Sequence, residues 1–291
     1  MTADYFIDNS ALNKILRNQD LSEQTVAGLT QSQHRLFVSF DTFLENTAGD
    51  STDSIFKRMN KLHEIYNRST PGQFYFAKAI SKWLHIEIRN NGRMRHYPTI
   101  HTEDRWELFL EYLSDRKTFD HIYHRTGTTR NFIKDSKTGL KKSDNLFRML
   151  SVFSQSEIRY EIENINFYVP AYKMNIFKKV FGLSNRQIKK VIYTPRRSDY
   201  NLHRTHFMLG YLRMLGNAYT EYKDNDELSF LNRIAAGNWY DLSLLVQACR
   251  AHYVITEDAD QLAMSNFLHK RGLIKAQGIS LEDFISKIEP K

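Results

Sequence analysis

The sequence predicts an α/β fold: a central, mostly parallel sheet flanked by helices, with an additional mainly helical region. Three observations predict it. Short uninterrupted apolar runs occur at Tyr5-Phe6-Ile7, Leu36-Phe37-Val38 and Tyr253-Val254-Ile255, the pattern of strands buried on both faces. Each run leads into polar residues able to cap a helix and then into helical spacing, the alternation that builds parallel sheets. The strand that empties into an acid occurs towards both ends of the chain, at Asp8 and at Asp258, with a long stretch of helical character between them.

Taken in order, residues 3–7 form the first expected strand. After Asp8-Asn9-Ser10, the apolar residues Ala11, Leu12, Ile15 and Leu16 fall at helical spacing, and either Ser10 or Asp8 is placed to cap that helix. Residues 21–29 read as a short connecting helix or loop, and 35–39 as the second strand. Ser39 or Asp41 caps a helix carrying Phe43, Leu44 and Glu45. Ile55, Met59, Leu62 and Ile65 mark an amphipathic helix, broken at Thr70-Pro71-Gly72. A further helix is expected over 74–88, through Phe76, Ile80, Trp83 and Leu84, and another over 103–113. Residues 145–153 read as helix, while 158–169 suit either strand or helix. Two helices meet at Gly182, the second capped by Ser184, in a weak helix-turn-helix pattern. A long helix follows over 203–222, then a polar return and a helical piece over 228–234. An apolar helix with Asp241 near its start leads into the strand at 253–256. Residues 261–270 are helical, a last short strand lies near Gly278, and Ser280 with Asp283 has the capping-box spacing of a terminal helix.

The chain has 291 residues and is 41% hydrophobic and 13% aromatic, enough to bury a sizeable core and to exclude disorder. The single cysteine, Cys249, excludes an internal disulfide and a paired-cysteine metal site, and it reads as a small buried hydrophobe. No secretory leader is apparent and no apolar run reaches membrane-spanning length, so a soluble, cytoplasmic protein with no membrane partner is expected. The net charge of +8 suits attraction to a polyanion. Two basic stretches are placed to hold a phosphate backbone: Arg125, Arg130, Lys134, Lys141 and Lys142 in one, and Arg186, Lys189, Lys190, Arg196 and Arg197 in the other. Their glycine spacing matches no phosphate loop or dinucleotide fingerprint.

The carboxylates carry the chemistry. Asp8, Glu45, Asp241 and Asp258 are the acids best placed to meet at one edge of an α/β sheet, with Asp260 as a fifth that either joins them or caps the following helix. Clustered carboxylates repel one another unless a cation neutralises them. An all-oxygen set suits one or two Mg2+ or Mn2+ ions, which activate water and hold a phosphate oxygen. Asn9, Ser10 and Thr256 are neutral groups able to orient those acids. A zinc site is disfavoured, because His121 and His124 lack a third ligand, and no metalloprotease or serine-hydrolase motif occurs.

These residues resemble the PIN-domain family of metal-dependent nucleases. The resemblance rests on Asp8-Asn9-Ser10 after the first strand, Glu45 in the helix after the second, Asp241 opening a helix into a later strand, and Thr256-Glu257-Asp258 at that strand's end, with Asp260 beyond. It covers residues 1–49 and 228–291, which would form a split PIN-like catalytic domain that also draws helices from 50–90. Residues 91–227 depart from the family pattern and read as a mainly helical inserted region. The resemblance implies an endonuclease that uses Mg2+ or Mn2+ to hydrolyse phosphodiester bonds, RNA being favoured over DNA, leaving 5′-phosphate and 3′-hydroxyl ends. Family members include toxins held by an antitoxin and enzymes of RNA processing or phage defence, so an antitoxin or other regulatory protein is a partner to expect, and self-association is left open. The alternatives are a DNA-directed nuclease and a catalytically silent scaffold that binds nucleic acid or protein.

Overall fold

The computed structural model describes residues 2–46, 51–90, 94, 97–99, 114–125, 154–165, 184–186, 201–219, 228–231 and 239–289. The expected helices over 103–113 and 145–153 and most of the pair around Gly182 lie outside the described residues.

Five parallel strands form one sheet in the order β3-β2-β1-β4-β5, with β1 at Asp4–Ile7, β2 at Arg35–Val38, β3 at Phe74–Phe76, β4 at Tyr253–Ile255 and β5 at Gln277–Ile279. All four residues of the central strand β1 are buried. In register, Phe6 lies beside Phe37 and Val254, and Phe37 beside Tyr75, so these side chains share one face. Tyr5, Leu36 and Phe74 belong to the opposite face, as do Ile7, Val38 and Phe76.

The helices cover both faces, which is why the strands read as unbroken apolar runs. Among the described residues they are α1 (Asn9–Arg17), α2 (Gln19–Gln31), α3 (Phe40–Asn46), α4 (Thr52–Arg68), α5 (Ile80–Arg89), α6 (Arg116–Arg125), α7 (Gln155–Glu163), α8 (Leu202–Ala218), α9 (Trp239–Ala248), α10 (Ala259–Lys270) and α11 (Leu281–Ile288). One core joins Tyr5, Ile7, Leu36 and Val38 to Leu12 and Ile15 of α1, Leu29 of α2, Met59 and Leu62 of α4 and Phe284 of α11. The other joins Phe6, Phe37 and Val254 to Trp83 of α5, Ile158 of α7, Leu212 of α8, Leu245 of α9 and Leu268 of α10. The described parts of 91–227 thus share a core with the sheet. A buried carboxylate ties them together: Glu87 of α5 accepts the Leu202 and His203 amides at the start of α8, both at 2.9 Å, where a helix presents unpaired N–H groups and a partial positive charge.

The strand order makes β1 the place where the winding reverses. From β1 the chain moves outward through β2 to β3, whereas from β4 it moves the other way to β5. The helices that follow β1 contribute to one core and the helix between β4 and β5 to the other. The carboxyl ends of β1 and β4 therefore form the topological switch point, the position at which open α/β sheets bind ligands.

Several elements differ from expectation. Phe74–Phe76 is a strand, not the start of a helix; its aromatics fill the edge of the sheet beside β2, and α5 begins only at Ile80. Residues 19–31 form a full helix whose cap is Asn18. The ambiguous segment from 158 is helical, in α7. At the last helix both bonds of the capping box are formed, by Ser280 and Asp283. Gly278 is required by proximity, since a Cβ there would lie 2.9 Å from Ser265 Cβ and 3.1 Å from the Leu262 carbonyl of α10.

Candidate active site

Asp8 is the last residue before α1 and caps it, accepting the Ser10 amide. Its residue is 5% exposed. Oδ2 also accepts the Ser10 hydroxyl at 2.6 Å and the Thr256 hydroxyl at 3.0 Å. Thr256, at the end of β4, accepts the Asp258 amide at 3.1 Å, and Ser10 Oγ accepts the Glu257 amide at 3.0 Å. The network stitches the ends of β1 and β4 together across the switch point, and every group that donates to the Asp8 carboxylate in it is neutral.

The other acids arrive on helices that begin or end at the same edge. Asp258 caps α10, its Oδ1 accepting the Asp260 and Gln261 amides at 3.0 Å each. The cap is thus Asp258 rather than Asp260, which lies in the first turn of α10. Asp241 lies in the first turn of α9 and is 6% exposed. Buried Gln261 donates its side-chain amide to the Asp241 carbonyl at 3.3 Å, linking the starts of α9 and α10. Glu45 is half-buried in the last turn of α3. That turn is fixed to the Asp8 loop by its neighbour Asn46, whose amide donates to Asn9 Oδ1 at 2.6 Å.

In the sequence Asp41 reads only as a candidate cap for α3. The cap of α3 is Ser39, whose hydroxyl accepts the Thr42 amide at 2.9 Å. Thr42 in turn donates to the Ile7 carbonyl at 3.3 Å, which holds the first turn of α3 against the end of β1. Asp41 is left with a buried Oδ2 that has no partner, and burial pushes its carboxyl up to about 6. The signal that could have found it is its spacing: Asp41 and Glu45 are four apart and share a helix face.

The structure thus brings Asp8, Glu45, Asp241, Asp258 and Asp260 to one edge of the sheet but not to a single point. Among the described residues, no three His, Cys, Asp or Glu side chains converge on a common metal position. The donor chemistry nevertheless fits a hard divalent ion: the acids at this edge supply only oxygen, and Asp41 Oδ2 is an orphaned buried acceptor. An ion pair beside this edge, Lys14 with Glu257, engages an acid outside the candidate set, and against the opposing effect of burial it holds that carboxyl low.

Of the basic residues assigned to the nucleic acid, Arg186 is exposed, and the side chain of Arg125, on α6, lies outside the described residues. Arg130, Lys134, Lys141, Lys142, Lys189, Lys190, Arg196 and Arg197 lie outside them altogether. No helix of the described residues is long and apolar enough to cross a membrane. No protein-family model, curated protein or solved structure matches the chain.

Proposed function

We propose that the protein is a metal-dependent endonuclease acting on RNA, with its active centre at the carboxyl ends of β1 and β4. The observation that carries the reading is the position of Asp8: a buried carboxylate at the switch point of a parallel sheet, oriented by Ser10 and Thr256. Asp241, Asp258 and Glu45 share that edge. Together with Asp8 they would hold Mg2+ or Mn2+, with Asp260 as a further ligand. When bound, such an ion lowers the pKa of a water and stabilises charge on the phosphate oxygens.

The residues of this chain have separable tasks in that reading. Ser10 and Thr256 fix which lone pairs of Asp8 remain for the ion. Gln261 holds the start of α9, and so the backbone of Asp241, in place. Asn9, bridged to Asn46 and Asn13, keeps the loop after β1 from shifting. The acids repel a polyanion, and the net charge of +8 supplies the opposite attraction over longer range. Each phosphate contact made by Lys or Arg would weaken as salt rises.

The test is a panel of end-labelled single-stranded RNA, single-stranded DNA and duplex DNA incubated with Mn2+. The proposal expects RNA to be cut fastest, with 5′-phosphate ends, and Asp241→Asn to lose more than about a hundredfold in rate while still binding the strand. Preferential cutting of DNA would overturn the substrate assignment. Tight strand binding with no cutting of any substrate would overturn the enzyme and leave a scaffold.

A further inference from the structure

At the amino end of the sheet, two histidine rings hold the start of β1, one from beside each neighbouring strand. His34, just before β2, accepts the Ala3 amide on Nδ1 at 3.1 Å, and His252, just before β4, accepts the Asp4 amide on Nδ1 at 3.1 Å. Backbone bonds run the other way beside them. The Arg35 amide donates to the Ala3 carbonyl at 2.9 Å, and the His252 amide donates to the Asp4 carbonyl at 3.0 Å. Two consecutive amides of the central strand are thus closed by side chains where β2 and β4 begin.

A backbone amide only donates, so Nδ1 is the acceptor in both bonds. That places the proton of each neutral ring on Nε2. A ring that takes a second proton carries N–H on both nitrogens and no longer accepts. Protonation of either ring therefore sets two donors against each other.

The surroundings of the rings oppose that proton. Both rings are half-buried, and burial is the largest influence holding each below the usual histidine range. The amino terminus and His252 act on His34 in the same direction, as do Lys275 and Arg35 on His252. Lys275 Nζ stands 3.0 Å from His252 Nε2. The Tyr5 ring meets the His34 ring edge-on, with centroids 5.5 Å apart. Asp4 pulls the other way on His252. Its Oδ1 accepts from Arg35 Nε at 2.7 Å, and its Oδ2 lies 3.9 Å from His252 Nδ1.

We propose that His34 and His252 form a pH-sensitive latch on the start of β1, closed while both rings are neutral and released when they take a proton. On release, the new Nδ1–H of His252 turns from the Asp4 amide to Asp4 Oδ2. The folded rings take up protons at lower pH than the unfolded chain does. The latch is therefore complete above the ordinary histidine value of 6.5 and is lost as pH falls below it through the folded values. Neither ring belongs to the carboxyl edge, so the inference does not rest on the nuclease reading.

Amide exchange at Ala3 and Asp4 of the whole chain, followed by NMR from about pH 8 to about pH 5 and corrected for intrinsic rates, tests it. Ring-nitrogen shifts in the same titration report the tautomer and each protonation. The readout is local because Asp41, pushed up to about 6, titrates in the same range and would enter any global unfolding measurement. Protection of both amides should fall about tenfold as the rings protonate, while the amides of Phe6 and Ile7 keep theirs. Asn offers an acceptor in place of Nδ1 that does not titrate, so His34→Asn combined with His252→Asn should keep its protection across the range. The proposal is overturned if Ala3 and Asp4 stay fully protected after both rings protonate, or if either ring carries its proton on Nδ1 at neutral pH. It is overturned equally if the folded double variant loses protection with pH as wild type does. The wild-type titration decides by itself if the double variant does not fold.

Discussion

Replacing Asp41 by Asn should stabilise the protein at neutral pH and do nothing in acid. The Asp41 carboxyl rises from 3.8 to about 6 because burial disfavours its charge, and Oδ2 has no donor to offset that cost. In the unfolded chain the same group ionises near its ordinary value. Between the two pKa values the folded protein binds the extra proton, so stability falls as pH rises through that window. A shift of about 2 units corresponds to about 3 kcal/mol once both states are ionised. The rest of the side chain keeps some contact with solvent, so that figure is an upper bound. Asn is nearly isosteric and does not ionise. Urea unfolding of both proteins at about pH 4 and about pH 7.5 reads the difference. The Asn variant should match wild type at the lower pH and exceed it by about 2–3 kcal/mol at the higher. A variant that is less stable at the higher pH, or that differs equally at both, would refute the argument from burial.

Other outcomes follow from the same geometry. Thr256→Val removes a donor to Asp8 and the acceptor for the Asp258 amide. It should cost about 1 kcal/mol in urea unfolding and about 10–100-fold in cleavage rate, while Thr256→Ser restores both. Gly278→Ala should lower stability by about 1–3 kcal/mol, because its Cβ would press on the α10 backbone at Leu262. Cys249 is fully buried and its thiol is pushed up to about 12 by burial. A thiol-specific reagent should therefore leave the native protein unmodified and label one group per chain only after unfolding.

The parts of the fold that were legible are those whose pattern admits one reading. Tyr5-Phe6-Ile7, Leu36-Phe37-Val38 and Tyr253-Val254-Ile255 are too short and too uniformly apolar for an amphipathic helix, and each forms a parallel strand. Phe74-Tyr75-Phe76 has the same character, but Phe76 and Ile80 also stand four apart, and that spacing joins the strand to the helix that follows it. The sheet resolves the ambiguity, because β2 needs a partner on its outer side. At the site, Asp8 and Asp258 were visible as strand-end acids. Their second role as helix caps is legible only in part: the sequence leaves Asp260 either a ligand or the cap of α10, and the cap is Asp258. Asp41 was missed because an acid after a strand has two readings, and only coordinates show that Ser39 already makes the cap. Glu87 gave no signal in sequence: its partners, the amides of Leu202 and His203, lie more than a hundred residues away.

In the proposed function, the edge built around Asp8 cuts RNA with a bound divalent ion. The direct measurement is the single-turnover rate on a labelled single-stranded RNA, with wild type and Asp8→Asn side by side, in Mn2+ and again in chelator. Wild type should cleave only with Mn2+ and not in chelator, and the variant should lose more than about a hundredfold with its fold and strand binding intact. Cleavage by Asp8→Asn at the wild-type rate, or an equal wild-type rate in chelator, would contradict it.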